Sequence, residues 1–259
     1  PPEKLLIWAE EKVAVALDPL VGAYEAAAGV DVEVAIYDFG AIKEDVSTAG
    51  PAGEGPDLFI GPHDMVGEVV TNGLVSPIDL GSIQSDIFDV GISAFSFGGE
   101  VYGFPYATEA IAMFYNSDLV DGVPSTWEEV KAACDAAGTE LCVGAPGGGG
   151  GGDAYHNIPF VQSDGGYIFK FDGGFDPSDV GLDNASALAS AEFLDSLVKN
   201  GTVAATDYGA SMAAFQEGRS LFWMTGPWAR NDAAAVNYGV GLIPTFGGNA
   251  ATPFVGVRG

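Results

Sequence analysis

The chain has 259 residues, 47% of them hydrophobic, with 9 Lys and Arg against 36 Asp and Glu for a formal net charge of −27. That length allows one large domain or two modest ones sharing an interface, with ample apolar material for a core. The charge argues against nucleic acid, whose phosphates need cationic partners, and against anionic lipid surfaces as direct partners; no apolar run approaches the roughly 18 residues of a spanning helix.

Strand and helix patterns alternate from the start of the chain. KLLIW (4–8) reads as a buried strand, VALDPLVGAYEAAAG as a helix ended by Gly29, and VDVEVAIY (30–37) alternates as a strand does. DLFIG (57–61) is another short strand, and DMVGEVVTNG (64–73) is helical and stops at Gly73. Near residue 100 the pattern changes to two β-rich pieces in succession, EVYGFPY and EAIAMFYN. STWEEVKAACDAAG (125–138) then opens a second helical run, with Ser125 or Thr126 as its cap and Glu128 or Glu129 reaching back. The strand YIFKF, the helices NASALASAEFLDSLVKNG (184–201) and SMAAFQEG, and the strands SLFWM and YGVGLIP follow. The alternation predicts an α/β protein with two lobes, each a largely parallel sheet with helices on both faces. The lobes are expected at 1–107 and 113–253, with a crossing at 108–112 and a return at 254–259.

The two cysteines are Cys134 and Cys142. Zinc needs about four N or S ligands, and His63 and His156 lie far from the pair in sequence. The spacing suits a disulfide that closes a small loop between a helix end and the following strand, and an extracytoplasmic location would favour it over two thiols. Trp8, Trp127 and Trp223 read as core, and His63 as a residue that orients its loop. The six glycines at 147–152 read as a loop, either slack or beside a ligand.

Ligands of open α/β sheets bind beyond the carboxyl ends of the strands. That rule selects Glu10, Glu11 and Lys12 after KLLIW, His63 and Asp64 after DLFI, and Tyr106 and Glu109 at the crossing. It also selects Asp153, Tyr155 and His156 after the glycine run, and Trp228 after SLFWM. Carboxylates and Lys bond hydroxyls well, and flat aromatic faces pack on the apolar faces of pyranose rings, so the set suits a neutral polyhydroxylated ligand.

WAEEK, GEGPDLFIGPHDMVGEVVTNGL, YGFPYATEAIAMFYNSDL, PSTWEE, DGGYIFK, DVGLDNA, FLDSLVKNG, MTGPWA, NYGVGLIPTF and PFVGV, in that order, resemble the maltose/maltodextrin-binding proteins, the extracellular solute receptors of ABC sugar importers. The resemblance implies a two-lobed, periplasmic-binding-protein-like fold whose cleft closes on malto-oligosaccharide by a hinge motion. It implies a non-catalytic receptor that hands sugar to ABC transporter permease subunits, with no cofactor and no metal. It further implies a monomer when complete, located outside the cytoplasm as a cell-surface lipoprotein or in a periplasm. Glu11, Lys12, Asp64, Glu109, Asp153 and Tyr155 would contact sugar hydroxyls, and Trp228 would stack on a glucose ring. Glu10, Asp38, Met65 and His156 are further candidates. Gly61, Met65 and His156 depart from residues common in that family, which bears on ligand strength and chain length. Family members continue past PFVGVRG (253–259), so a C-terminally incomplete chain is expected, with apolar sheet and helix faces left exposed. Two other readings stand beside this one. The first is a receptor for trehalose or a cyclodextrin. The second is a glycoside hydrolase acting on α-glucans, which needs two carboxylates about 5 to 10 Å apart across the scissile bond.

Overall fold

The computed structural model describes residues 4–146, 153–172, 174–248 and 250–259. The glycine run at 147–152 lies outside the described residues. Contacts group the chain into two compact units, Pro1–Thr108 with Gly256–Gly259, and Glu109–Val255.

In the first unit, β1 (Lys4–Ala9) leads into α1 (Glu11–Ala28), β2 (Asp31–Ile36), α2 (Ile42–Ala52) and β3 (Leu58–Phe59). The strands form a parallel sheet in the order β2-β1-β3, as the alternation predicts. One face is a dry core: Trp8 stacks on Tyr37 at 3.9 Å and packs with Ile42 and Val46 of α2. Ile42 and Val46 are the i,i+4 signal that marks α2 as a helix, a segment that reads weakly in sequence because Ser, Thr, Gly and Pro interrupt it. The other face is more open. α1 begins at Glu11, earlier than its apolar run suggests, and none of its residues is buried. Its Leu17, Leu20, Val21 and Tyr24 instead border an apolar cavity of about 270 Å³ with Leu5, Ile7, Val32 and Leu58. β1 is therefore only partly buried, with Trp8 and Ala9 alone fully covered, and Gly29 in the left-handed region (φ 69°) ends α1.

After a 3₁₀ turn at His63–Met65 come α3 (Val66–Thr71), α4 (Asp89–Ala94) and a hairpin of β4 (Ser96–Phe97) and β5 (Glu100–Val101). Little of EVYGFPY is strand, since Pro105 offers no N–H for a ladder. β6 (Ala107–Glu109) closes this stretch.

The second unit holds β7 (Ala112–Asn116), α5 (Trp127–Ala137), β8 (Leu141–Pro146), α6 (Ala154–Ser163), a hairpin of β9 (Phe169–Phe171) and β10 (Phe175–Val180), α7 (Ala185–Lys199), β11 (Val203–Thr206), α8 (Tyr208–Gln216), β12 (Ser220–Thr225), α9 (Arg230–Ala233) and β13 (Tyr238–Gly241). Its five-stranded sheet has the order β11-β8-β12-β7-β13, with β7 antiparallel to both neighbours and the remaining pairs parallel. Helices cover both faces, so every residue of β12 is buried. Phe114 and Trp223 pack with Phe215 of α8 on one side; Met113, Phe222 and Met224 pack with Trp127 and Val130 of α5 on the other. The three tryptophans read as core, Trp8, Trp127 and Trp223, are buried.

Local signals place α5 as read. Thr126 accepts from the Glu129 N–H, and Glu129 reaches back to the Thr126 N–H in a capping box. Cys134 near the end of α5 and Cys142 in β8 form a disulfide with a Cα–Cα distance of 5.2 Å. Finally β14 (Gly256–Arg258) returns to the first unit, where it pairs with β6.

Candidate functional site

In the first unit, Glu11 and Lys12 stand exposed in the first turn of α1, where the helix N-terminus favours the Glu11 carboxylate. Glu10, just before that turn, is held by its own chain: its Oε1 accepts from Arg258 Nη1 at 3.0 Å. The same guanidinium lies over the Phe39 ring, 4.2 Å from its centroid. Asp38 is likewise engaged locally, its Oδ1 accepting from the N–H groups of Gly40 at 2.9 Å and Ala41 at 3.2 Å to turn the chain into α2.

Asp64 is exposed on the 3₁₀ turn, while Met65 beside it is buried. The two departures at Gly61 and Met65 are one packing feature: a Cβ at Gly61 would sit 2.7 Å from Met65 Sδ. The thioether fills the space that a larger residue at 61 would occupy. His63 Nδ1 accepts from the Val257 N–H at 3.2 Å and so orients the returning strand. Among the described residues, no group of three or more His, Cys, Asp or Glu side chains is placed to hold a metal ion.

The second unit gathers Asp153, Tyr155, His156 and Trp228. Asp153 caps α6, with Oδ1 accepting from the His156 N–H at 3.1 Å and Oδ2 lying 2.8 Å from His156 Nδ1. Burial pushes the Asp153 carboxyl up, but the bonds from the His156 ring and backbone overcome this and leave it below the ordinary carboxylate value. The imidazole is buried and meets Trp228 edge to face, with centroids 6.0 Å apart and planes at 86°. Tyr155 and Trp228, both half-buried, lie 6.1 Å apart at 51°. Phe254 adds a third ring, 5.9 Å from Tyr155 at 34°. Phe254 was not among the sequence candidates; its local signal is an aromatic at the start of the return segment.

Trp228 owes its placement to what precedes it. Gly226 follows the buried strand β12, and a Cβ there would lie 2.2 Å from the indole ring, so only glycine lets the ring fold back across the backbone. Trp228 packs partly against both core clusters of the unit. Beside it in the same cluster stands Tyr208, whose hydroxyl pKa is raised by burial and by the Asp232 charge. Trp228 is thus both part packing and part open ring. Glu109, the last residue of β6, is half-buried.

An α/β fold of two units, with aromatic rings and carboxylates beyond strand ends and at a helix start, presents the groups that small-molecule sites use. The family model described as bacterial extracellular solute-binding protein matches residues 20–259, and the chain belongs to that family. Among curated relatives, the galactooligosaccharide-binding protein of Bacillus subtilis (strain 168) is 29% identical over 98% of this chain and 63% of its own length. The maltotriose-binding protein of Pyrococcus abyssi (strain GE5 / Orsay) is 30% identical over 83% of this chain and 47% of its own. The maltooligosaccharide ABC transporter solute-binding lipoprotein of Streptococcus pneumoniae (strain ATCC BAA-255 / R6) is 28% identical over 94% and 60%. The chain therefore spans between 47% and 63% of the length of these relatives. Their names, like the family description, are those of binding proteins.

Proposed function

We propose that this chain is the ligand-binding part of an extracytoplasmic sugar receptor that takes malto-oligosaccharides and delivers them to the permease of an ABC transporter, without chemistry on the sugar. The observation that carries this reading is the Tyr155–Trp228–Phe254 ring cluster at the start of α6. Rings 5.9 and 6.1 Å apart offer apolar faces to pyranose C–H surfaces. The exposed Glu11, Lys12 and Asp64 and the half-buried Glu109 supply hydrogen-bonding groups of the kind that hydroxyls need. The names of the Pyrococcus and Streptococcus relatives support malto-oligosaccharide, and export is supported by the family description and by the lipoprotein name of the latter.

The Bacillus relative, similar over nearly the whole chain, favours a second reading in which the sugar is a galacto-oligosaccharide. Calorimetric titration of the full-length protein with maltose, maltotriose, a galacto-oligosaccharide, trehalose, a cyclodextrin and glucose tests both. Maltose or maltotriose is expected to bind, and glucose poorly, because one ring fills only part of such a site. Incubation with maltotetraose followed by chromatography tests for hydrolysis; release of shorter sugars refutes the receptor reading.

A further inference from the structure

We propose that Asp153 serves the ring cluster as a positioning residue acting through His156, and is not itself a sugar contact; the inference rests on the sugar-receptor reading. Each Asp153 oxygen already accepts from His156. Oδ1 takes the His156 N–H and Oδ2 takes Nδ1, at 3.1 and 2.8 Å. With Nδ1 donating, the imidazole is held in one tautomer and one ring orientation. Its Nε2 is buried and has no hydrogen-bond partner among the described residues. The His156 side chain is only 7% exposed, so the ring acts by packing. It stands steeply inclined to both rings: 72° and 5.7 Å from Tyr155, 86° and 6.0 Å from Trp228. It is a wedge that sets the spacing of the two rings. Fixing that wedge before a ligand arrives removes an ordering cost from binding, which is how this part-exposed carboxylate raises affinity without touching the sugar.

The test is a double-mutant cycle in the full-length protein with maltotriose as probe. Asp153→Ser keeps a helix cap but cannot span to Nδ1, and His156→Phe keeps a ring that needs no carboxylate. Asp153→Ser is expected to weaken maltotriose binding about tenfold in the native background and less than about twofold in the His156→Phe background, as coupled neighbours require. An equal loss in both backgrounds makes Asp153 a direct contact and overturns the proposal.

Nuclear magnetic resonance of the sugar-free protein gives a second readout. ¹⁵N-labelled histidine should show His156 protonated at Nδ1, and Asp153→Ser should abolish that state and shift the Trp228 indole resonance. If the native protein binds neither maltotriose nor a galacto-oligosaccharide, the sugar reading fails. The positioning role is then judged on this signal alone: a Trp228 shift that vanishes in the His156→Phe background supports it, and an unmoved resonance refutes it.

Discussion

The ring of Trp228 meets the imidazole of His156 at 86°, edge to face, and leans on Tyr155 at 51°. The ring just past the buried strand β12 is therefore braced from the start of α6. Replacing Trp228 by Ala is expected to weaken maltotriose binding by about 1–3 kcal/mol, the worth of a large stacking face. Trp228→Phe should recover part of the loss. Calorimetric titration reads both; unchanged affinity in the Ala variant would show that the ring only packs.

Asp153 gives a pH dependence with a definite sign. Its folded pKa lies below the ordinary value of 3.8. The stability it contributes is therefore full above the unfolded value and is lost as pH falls through the folded one. The melting-temperature gap between the native protein and Asp153→Asn should be constant near neutrality and close as pH drops below about 4. A gap that widens in acid contradicts this assignment.

The Cys134–Cys142 bond closes a loop with a sequence separation of 8. A loop this short limits the chain entropy removed, so reduction should cost no more than about 2–3 kcal/mol. Urea unfolding of the Cys134→Ser/Cys142→Ser double variant measures the cost. Alkylation and mass measurement without reductant should find no free thiol in protein recovered from an oxidising compartment.

Arg258 joins the returning strand to Glu10 and to the Phe39 ring, and its side chain is only 12% exposed. Arg258→Ala strands a partly covered carboxylate and removes a ring contact, at an expected cost of about 1–3 kcal/mol. Lys131→Ala, which breaks the Lys131–Asp135 pair on the surface of α5, should cost less than about 1 kcal/mol. Equal effects in denaturant titrations would refute the distinction.

Salt should stabilise this chain. Its 36 acidic residues face only 9 Lys and Arg, so repulsion among like charges opposes the compact state. Raising KCl from about 0.1 M to about 1 M shortens the screening length from about 10 Å to about 3 Å. The melting temperature should rise over that range. A flat or falling profile would mean that the acidic groups are too far apart to interact.

What the sequence by itself determined is local or periodic. A capped start for α5 at Ser125 or Thr126, the stop at Gly29, the buried run of β12 and the alternation of strand with helix are each decided within a few residues, because caps, turns and amphipathic faces act at that range. The disulfide belongs here too, since eight residues separate its partners. Asp153, Tyr155, His156 and Trp228 were legible as candidates from their position after loops and strands.

Only the tertiary structure decided what those residues do to one another. The Asp153 carboxylate bonds His156, Glu10 is taken by Arg258 from the far end of the chain, Met65 fills the space above Gly61, and Phe254 completes a cluster with Tyr155. The Glu10–Arg258 and Tyr155–Phe254 pairings depend on where the fold delivers distant segments, while Asp153–His156 and Gly61–Met65 are neighbours in sequence whose side-chain directions the packing sets. Their energies come from packing and desolvation between neighbours in space, and no window along the chain contains both partners of the long-range ones.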